Sequence, residues 1–388
     1  MKLKRRQCFS NIAKCAFLLA LLAVLVLLVA HMWHPSLTAP FGLRGSPGTC
    51  RDEGDHANQS SVEEVEEATN SHGKKNDTIT GVRGLQEPRP VKTTQMKGRD
   101  FNATLVHGLF PYIINEPAKC QGGRATPFLV FIITTVASEV EARSAIRQTW
   151  ANQTLVPGVA VLRLFLLGKL GGELGGSQQR MLQEESAEHH DIIQQDFVES
   201  YNNMTLKTLM GLHWVARYCP HAGYVMKTDS DMFINTEYLI HKLLRPELKP
   251  KTNYYTGRII EHELAHRDKK NRWYMSEEEY GKAEYPAFCS GTGYVLSADL
   301  ADKILRVSLA THIVHLEDVH VGLCLSQLGV KPTKTSIWLF NHYHVPFTRC
   351  MYSNLITSHQ ITPKELLQYW TRQQKNKNIC QRMGLGNL

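Results

Sequence analysis

Tyr224-Val225-Met226-Lys227-Thr228-Asp229-Ser230-Asp231-Met232-Phe233-Ile234-Asn235 is the stretch on which the fold turns. A short apolar strand ends at Lys227, and two aspartates spaced i, i+2 follow before the chain enters its next amphipathic run. In an open parallel α/β sheet, ligands bind beyond the carboxyl ends of the strands. Two carboxylates placed there suit a hard divalent cation, Mg²⁺ or Mn²⁺, which in turn holds a diphosphate. An EF-hand is excluded, because Phe233 stands at loop position five, Ile234 where glycine is required and Ile240 where the bidentate Glu belongs. The plainer alternative is a pair of solvated turn residues.

Working upstream, Pro127–Thr134 is a continuous apolar run whose length and β-branched content predict a strand buried on both faces. Ser138-x-x-Glu141 has the pattern of a capping box opening a helix to about Trp150. On that helix Arg143 and Arg147, spaced i, i+4, share one face, either solvated or turned toward an anionic ligand. A second strand is expected over Val159–Leu167, closed by Gly168. The glycine-rich loop Gly171–Gly176 lacks the Lys-Ser/Thr of a P-loop. A polar helix to about His190, a short strand Asp191–Gln194 and a helix Thr205–Cys219 complete the approach. Strands alternating with helices predict an α/β fold with a largely parallel sheet.

Downstream, a helix to about Leu244 and a strand Tyr254–Ile260 precede a charged, aromatic excursion, Glu261–Glu284. Trp273 and Tyr274 within it suit either stacking on a sugar face or packing. Cys289–Tyr294, with two glycines, reads as a tight turn, and Ser297–Val307 as a helix. Glu317-Asp318 opens a helix ending at Gly329, where first-turn carboxylates are favoured by the helix dipole whether or not they do chemistry.

The 388 residues leave room for one large α/β domain with appendages. The formal net charge of +8 suits nucleic acid, yet no zinc-finger spacing, RNP-like motif or basic helix supports that, and no nucleic-acid partner is expected. Part of the charge is Lys2, Lys4, Arg5, Arg6 and Lys14, which precede an uncharged apolar stretch from Cys15 to Trp33. About 20 such residues span a bilayer, and the positive flank stays cytoplasmic. The expected organisation is a cytoplasmic tail 1–14, a signal-anchor helix 15–33, a flexible luminal stem 34–100 rich in Gly, Pro, Ser and Glu, and a luminal domain 101–388. Asn58, Asn76, Asn102, Asn152 and Asn203 open N-x-S/T sequons and suit a glycosylated luminal surface. Seven cysteines lie beyond the apolar stretch, so at least one is free or pairs between chains, leaving a homo- or hetero-dimer open.

Seven collinear segments between about Pro127 and Trp370 resemble the β-1,3-galactosyltransferase family of inverting β-1,3-glycosyltransferases. They are Arg143-Ser-Ala-Ile-Arg147-Gln-Thr-Trp150, Phe165-Leu-Leu-Gly168, Asp191-Ile-Ile-Gln-Gln-Asp196-Phe197, Asn203-Met-Thr-Leu-Lys207-Thr208, Lys227-Thr-Asp-Ser-Asp231-Met-Phe233, Tyr285-Pro-Ala-Phe-Cys-Ser-Gly-Thr-Gly-Tyr294 and Glu317-Asp-Val-His-Val-Gly322. The resemblance implies a GT-A type, Rossmann-like sheet flanked by helices, a Golgi membrane location and a Mn²⁺-dependent, inverting transfer. Its donor would be UDP-galactose and its acceptor a GlcNAc-terminated glycan. Within it Asp231, with Asp229 and His359, corresponds to the metal site and Asp318 to the catalytic base. Arg143, Arg147, Asp196, Lys207 and Ser230 fall in donor-binding stretches, and Glu317 beside the acceptor. His320 and Phe288 stand where the family commonly has Tyr. UDP-GlcNAc or UDP-GalNAc donors, or an idle sugar-binding protein on the same fold, are the rival readings.

Overall fold

The computed structural model describes residues 110–121, 125–171 and 175–375, all within the unit Arg89–Leu388. The tail, signal-anchor and stem expected over 1–100 lie outside these residues, as do Asn58, Asn76, Asn102, Cys50 and Cys380. No helix among the described residues is long and apolar enough to cross a membrane.

The elements run β1 (Tyr112–Ile114), β2 (Leu129–Thr134), α1 (Val140–Gln148), β3 (Val161–Lys169), α2 (Gly175–His189), β4 (Ile192–Val198), α3 (Met204–Tyr218), β5 (Tyr224–Asp229) and β6 (Phe233–Ile234). A helical turn, Thr236–Tyr238, then runs into a π-helical segment, Leu239–Leu244. The chain continues through β7 (Tyr255–Ile260), β8 (Phe288–Ser297), α4 (Asp299–Ala310), α5 (Glu317–Gln327), α6 (Arg349–Asn354), β9 (Thr357–Ser358) and α7 (Pro363–Gln374).

Seven strands form one sheet in the order β1-β4-β3-β2-β5-β8-β7, and β6 pairs with β9 in a small second sheet. The pairings β2–β3, β2–β5 and β3–β4 are parallel, whereas β1–β4, β5–β8 and β7–β8 are antiparallel. The sheet is therefore more evenly mixed than a run of alternating strands and helices predicts. The parallel half is the expected βαβ part; β8 joins it antiparallel to β5, and β7 antiparallel to β8.

Strand β2 shows why this half is legible. Leu129, Phe131 and Ile133 join one core with α1, α2 and α7, while Val130 and Ile132 join the other with α3, α4 and α5. Every residue of β2 is buried, which is what a continuous apolar run in a three-layer α/β/α arrangement requires. Helix α3 lies close against this sheet because residue 211 is glycine. A Cβ there would meet Leu166 Cδ1 at 2.6 Å and Ile132 Cδ1 at 3.2 Å.

Two local expectations are corrected. Helix α1 has no capping box: its N-cap is Glu139, and no side chain caps it. The Glu139 carboxylate instead turns back to Thr135 Oγ1, the Val136 N–H and Ser230 Oγ. Cys289–Tyr294 is not a turn but part of β8, an interior strand between β5 and β7, where burial rather than turn chemistry governs the glycines. Cys120 and Cys219 form a disulfide tying the segment after β1 to the end of α3, and Cys350 is also disulfide-bonded. Cys289 and Cys324 are free and buried.

Candidate active site

The parallel strands β2 and β5 end side by side, with Thr134 opposite Asp229. The Thr134 hydroxyl donates to Asp229 Oδ1 at 2.7 Å, and Lys227 Nζ donates to the same oxygen at 2.8 Å. Asp231 lies two residues further on, with half its side chain exposed. The short pairing of Phe233 with Ser358 and Ile234 with Thr357 folds the 357–361 segment over this loop, and the Ile361 N–H donates to the Asp231 carbonyl. His359 is thereby set beside Asp231, with Nε2 at 3.2 Å from its Oδ2.

Asp229, Asp231 and His359 bring their ligand atoms within 4.8 Å of one another. Nδ1 of His359 is 3.0 Å from the His342 carbonyl. A carbonyl only accepts, so Nδ1 carries a proton and Nε2 is the nitrogen left for a cation, the outer bond expected of a ligating histidine. Burial would lower the His359 pKa, but the facing Asp231 carboxylate outweighs it and raises it.

Lys227 joins this cluster to a second one. It is 1% exposed, and its ammonium pairs with Asp229 Oδ1, Glu317 Oε2 at 3.0 Å and the Gly291 carbonyl. Burial opposes its charge, but the two carboxylates prevail and hold its pKa above the ordinary lysine value. Glu317 Oε1 accepts from Tyr294 OH at 2.6 Å. Burial, with Asp318 adding and Lys227 opposing, pushes the Glu317 pKa up to about 7.

Asp318 differs from its neighbour. It is half-buried, and its bonds come from backbone N–H groups, Gly291 to Oδ2 and Val319 to Oδ1, both at 2.9 Å. Burial raises its pKa against these donors. Gly291 holds both halves together, since its carbonyl takes Lys227 and its N–H gives to Asp318. A Cβ at this position would lie 3.0 Å from Glu317 Oε2 and 3.3 Å from Asp318 Oδ2.

Of the expected site residues, Asp229, Asp231 and His359 are brought together, and Asp318 is linked to them through Gly291 and Lys227. Ser230 is beside them, bonded to Glu139. Glu317, expected beside the acceptor, is 6% exposed and both its oxygens are committed within the protein. Arg143 has no exposed surface. Its guanidinium is held bidentately by Glu185 and donates to the Val136 and Ala137 carbonyls, which fixes the loop after β2 from behind. Arg147 shares that face as expected, but pairs with Glu185 and Asp191. Lys207 is buried between the Thr135 carbonyl and Glu199. Asp196 pairs with Lys169 in solvent on β4, three strands from β5, or about 14 Å at the usual strand spacing.

The excursion expected over 261–284 is ordered. Arg267 donates to the Met275, Tyr280 and Lys282 carbonyls, and Met275, Tyr280 and Tyr285 pack on Leu316 and Val319 around Asp318. Trp273 is 51% exposed there, its ring tilted against His266, and Tyr274 is half-buried. His320 turns into the core, bonded to Ser308 Oγ, and burial lowers its pKa to about 4. Phe288 packs in the same cluster as Tyr285. Asn152 accepts from Thr154 within its sequon, and Asn203 precedes α3.

Lys227, Tyr294, Glu139 and Glu185 belong to the site without being among the residues expected in it. For Lys227 a signal existed: a lysine inside a buried strand, directly before two aspartates, must find a counter-charge.

The fold and site together define an α/β protein with two aspartates and a histidine clustered at the carboxyl edge of its sheet, close enough to share a metal ion, and a separate carboxylate beside them. A model of the galactosyltransferase family matches residues 141–336, and one of the β-1,3-galactosyltransferase 2 N-terminus matches residues 55–130. The chain is 54% identical over 273 residues to β-1,3-galactosyltransferase 2 of Mus musculus and of Homo sapiens; these matches cover 70% of this chain and 64% of each relative, just under two thirds of its length. It is 46% identical over 270 residues to β-1,3-galactosyltransferase 1 of Mus musculus, covering 70% of this chain and 80% of that one. The chain belongs to the galactosyltransferase family. Among solved structures, the bifunctional glycosyltransferase WbbM aligns at a TM-score of 0.37 and 12% identity, over 69% of this chain and 52% of that one, too slight a likeness to carry an argument.

Proposed function

We propose that the protein is a β-1,3-galactosyltransferase of GT-A type. It moves galactose from UDP-galactose to the 3-hydroxyl of a terminal β-GlcNAc on a glycan, with Mn²⁺ and inversion at the anomeric carbon. The observation that carries this is the joining of two clusters, Asp229–Asp231–His359 and Asp318, through Lys227 and Gly291.

The first cluster suits the cation. Two carboxylates and one imidazole are a mixed oxygen–nitrogen set of the kind Mn²⁺ accepts, and His359 presents Nε2 because Nδ1 is engaged. Bound there, the cation would supply Lewis-acid neutralisation of the leaving diphosphate. Asp318 takes the proton of the acceptor hydroxyl as it attacks, the part of a general base. Its Oδ atoms are aimed by backbone N–H groups that leave lone pairs open, whereas Glu317 is spent on Lys227 and Tyr294. Only one catalytic carboxylate is needed when a metal serves the leaving group, unlike the pair of an inverting glycosidase. Ser230 and Glu139 line the donor side. Arg143 and Lys207 shape that pocket from beneath by fixing the 135–137 loop, Arg147 backs Arg143 through their shared Glu185, Asp196 stands toward the outer edge, and Trp273 and Tyr274 face the acceptor. The basic flank, apolar stretch and sequons suit a single-pass type II protein of the Golgi membrane with this unit in the lumen.

The metal assignment is tested by direct binding. Wild type is expected to bind Mn²⁺ together with UDP, as read by calorimetry or the electron-spin signal of Mn²⁺, and to stop transferring when chelator is added. Asp231→Ala should lose both the binding signal and the transfer. Full turnover in excess chelator, or unchanged Mn²⁺ binding by Asp231→Ala, would refute the assignment.

A further inference from the structure

Strand β7 forms the outer edge of the sheet, and its middle residue stands beside the site. Gly257 pairs with Tyr294 and Ile259 with Cys289, so Arg258 lies opposite the irregular part of β8 that contains Gly291, the residue bonded to Asp318. Arg258, Ile259, Glu261, Lys334, Ser336 and Ile337 line a cleft of about 180 Å³. The loop on its other wall leads to the cation cluster, since the carbonyls of His342 and Tyr343 accept bonds from His359 Nδ1 and N. The cleft thus has strand β7 on one side and, on the other, the loop that continues to the carbonyls bonded by His359.

Its chemistry is unspent. Arg258 is half-buried, and among the described residues no carboxylate pairs with it; its bond to the Ile337 carbonyl is a long 3.5 Å. A guanidinium has five donors in a planar fork, so most of this one's capacity remains. Ile337, on the same wall, is 62% exposed, and Trp338, the next residue along the chain, is 63% exposed. An exposed indole beside a cluster of polar groups is the pairing that recognises a pyranose, with one face apolar and the rim hydroxylated.

We infer that this cleft is a second sugar subsite, taking the monosaccharide unit next to the reacting β-GlcNAc of an oligosaccharide acceptor. Arg258 bonds its hydroxyls and Trp338 stacks at the rim. The inference rests on the galactosyl transfer proposed above. The nucleotide of the donor belongs at the ends of the parallel strands, on the β2 side of Asp229. That leaves the antiparallel β8–β7 edge to the acceptor, the substrate with further sugars to place.

The test compares a simple β-GlcNAc glycoside with a disaccharide ending in β-GlcNAc, in wild type, Arg258→Ala and Trp338→Ala. Wild type should favour the disaccharide in kcat/KM, and each variant should lose about tenfold on the disaccharide alone, about 1.4 kcal/mol. Saturation-transfer NMR with the disaccharide and no donor should show contact to its second ring in wild type, lost in Trp338→Ala. Equal loss on both acceptors, no loss on either, or no saturation of the second ring in wild type would overturn the subsite. A wild type that contacts the second ring yet transfers galactose to neither acceptor would remove the proposed function and leave the subsite standing.

Discussion

Asp318→Asn should transfer galactose at least a hundredfold more slowly than wild type while folding normally. A general base contributes about 10²–10⁴ in rate, and an amide oxygen does not take a proton from a sugar hydroxyl at neutral pH. Structure is another matter. The two bonds Asp318 accepts come from the Gly291 and Val319 N–H groups. The Asn side-chain oxygen accepts one of them and its amide nitrogen cannot accept the other, so one bond worth about 0.5–1.5 kcal/mol is lost, too little to unfold the protein. Melting temperature and Mn²⁺-dependent UDP binding should therefore stay close to wild type. Glu317→Gln should behave in the opposite sense, losing stability first, because Glu317 is buried against Lys227. If Asp318→Asn kept near wild-type turnover, the base would lie elsewhere.

Lys227→Met is expected to have the largest effect on stability. It would leave the Asp229 and Glu317 carboxylates and the Gly291 carbonyl without their shared cation, inside the protein. Removing one partner of a buried ion pair costs about 3–5 kcal/mol. Against a total stability of about 5–15 kcal/mol, that lowers the melting temperature by roughly 10 °C. The double substitution Lys227→Met/Glu317→Gln should recover part of this loss, because one stranded charge is gone. It should not recover transfer, since Asp229 and the Gly291 carbonyl would still lack the ammonium that joins them. Thermal melts of the three proteins decide the point, and a Lys227→Met variant melting with wild type would show that the ammonium does not carry the network.

Much of this was readable from residues alone, for physical reasons. Strand β2 announced itself because burial on both faces forces a continuous apolar run, and the two aspartates at the carboxyl end of β5 stood out through the apolar lead-in before them and the second acidic pair, Glu317-Asp318, further on. The antiparallel half was less legible. Cys289–Tyr294 reads as a turn because glycine is common in turns, yet here glycines 291 and 293 sit in a strand so that α5 and β9 can come close. The arginines of α1 share one face as their spacing predicts, but periodicity says nothing of a partner 42 residues on such as Glu185. His359 lies 128 positions after Asp231 by their numbers, and only the β6–β9 pairing brings them together. That pairing is a tertiary fact with two residues per strand, and no local pattern announces it.

The central claim is tested most directly by the product. The protein should be supplied with Mn²⁺, a β-GlcNAc glycoside and each of UDP-galactose, UDP-GlcNAc and UDP-GalNAc in turn, and the product's linkage and anomeric configuration read by NMR. The expected result is fastest transfer from UDP-galactose, giving galactose β-linked to the 3-hydroxyl of GlcNAc. Faster transfer from another donor, an α-linked product, or attachment at another hydroxyl would contradict it.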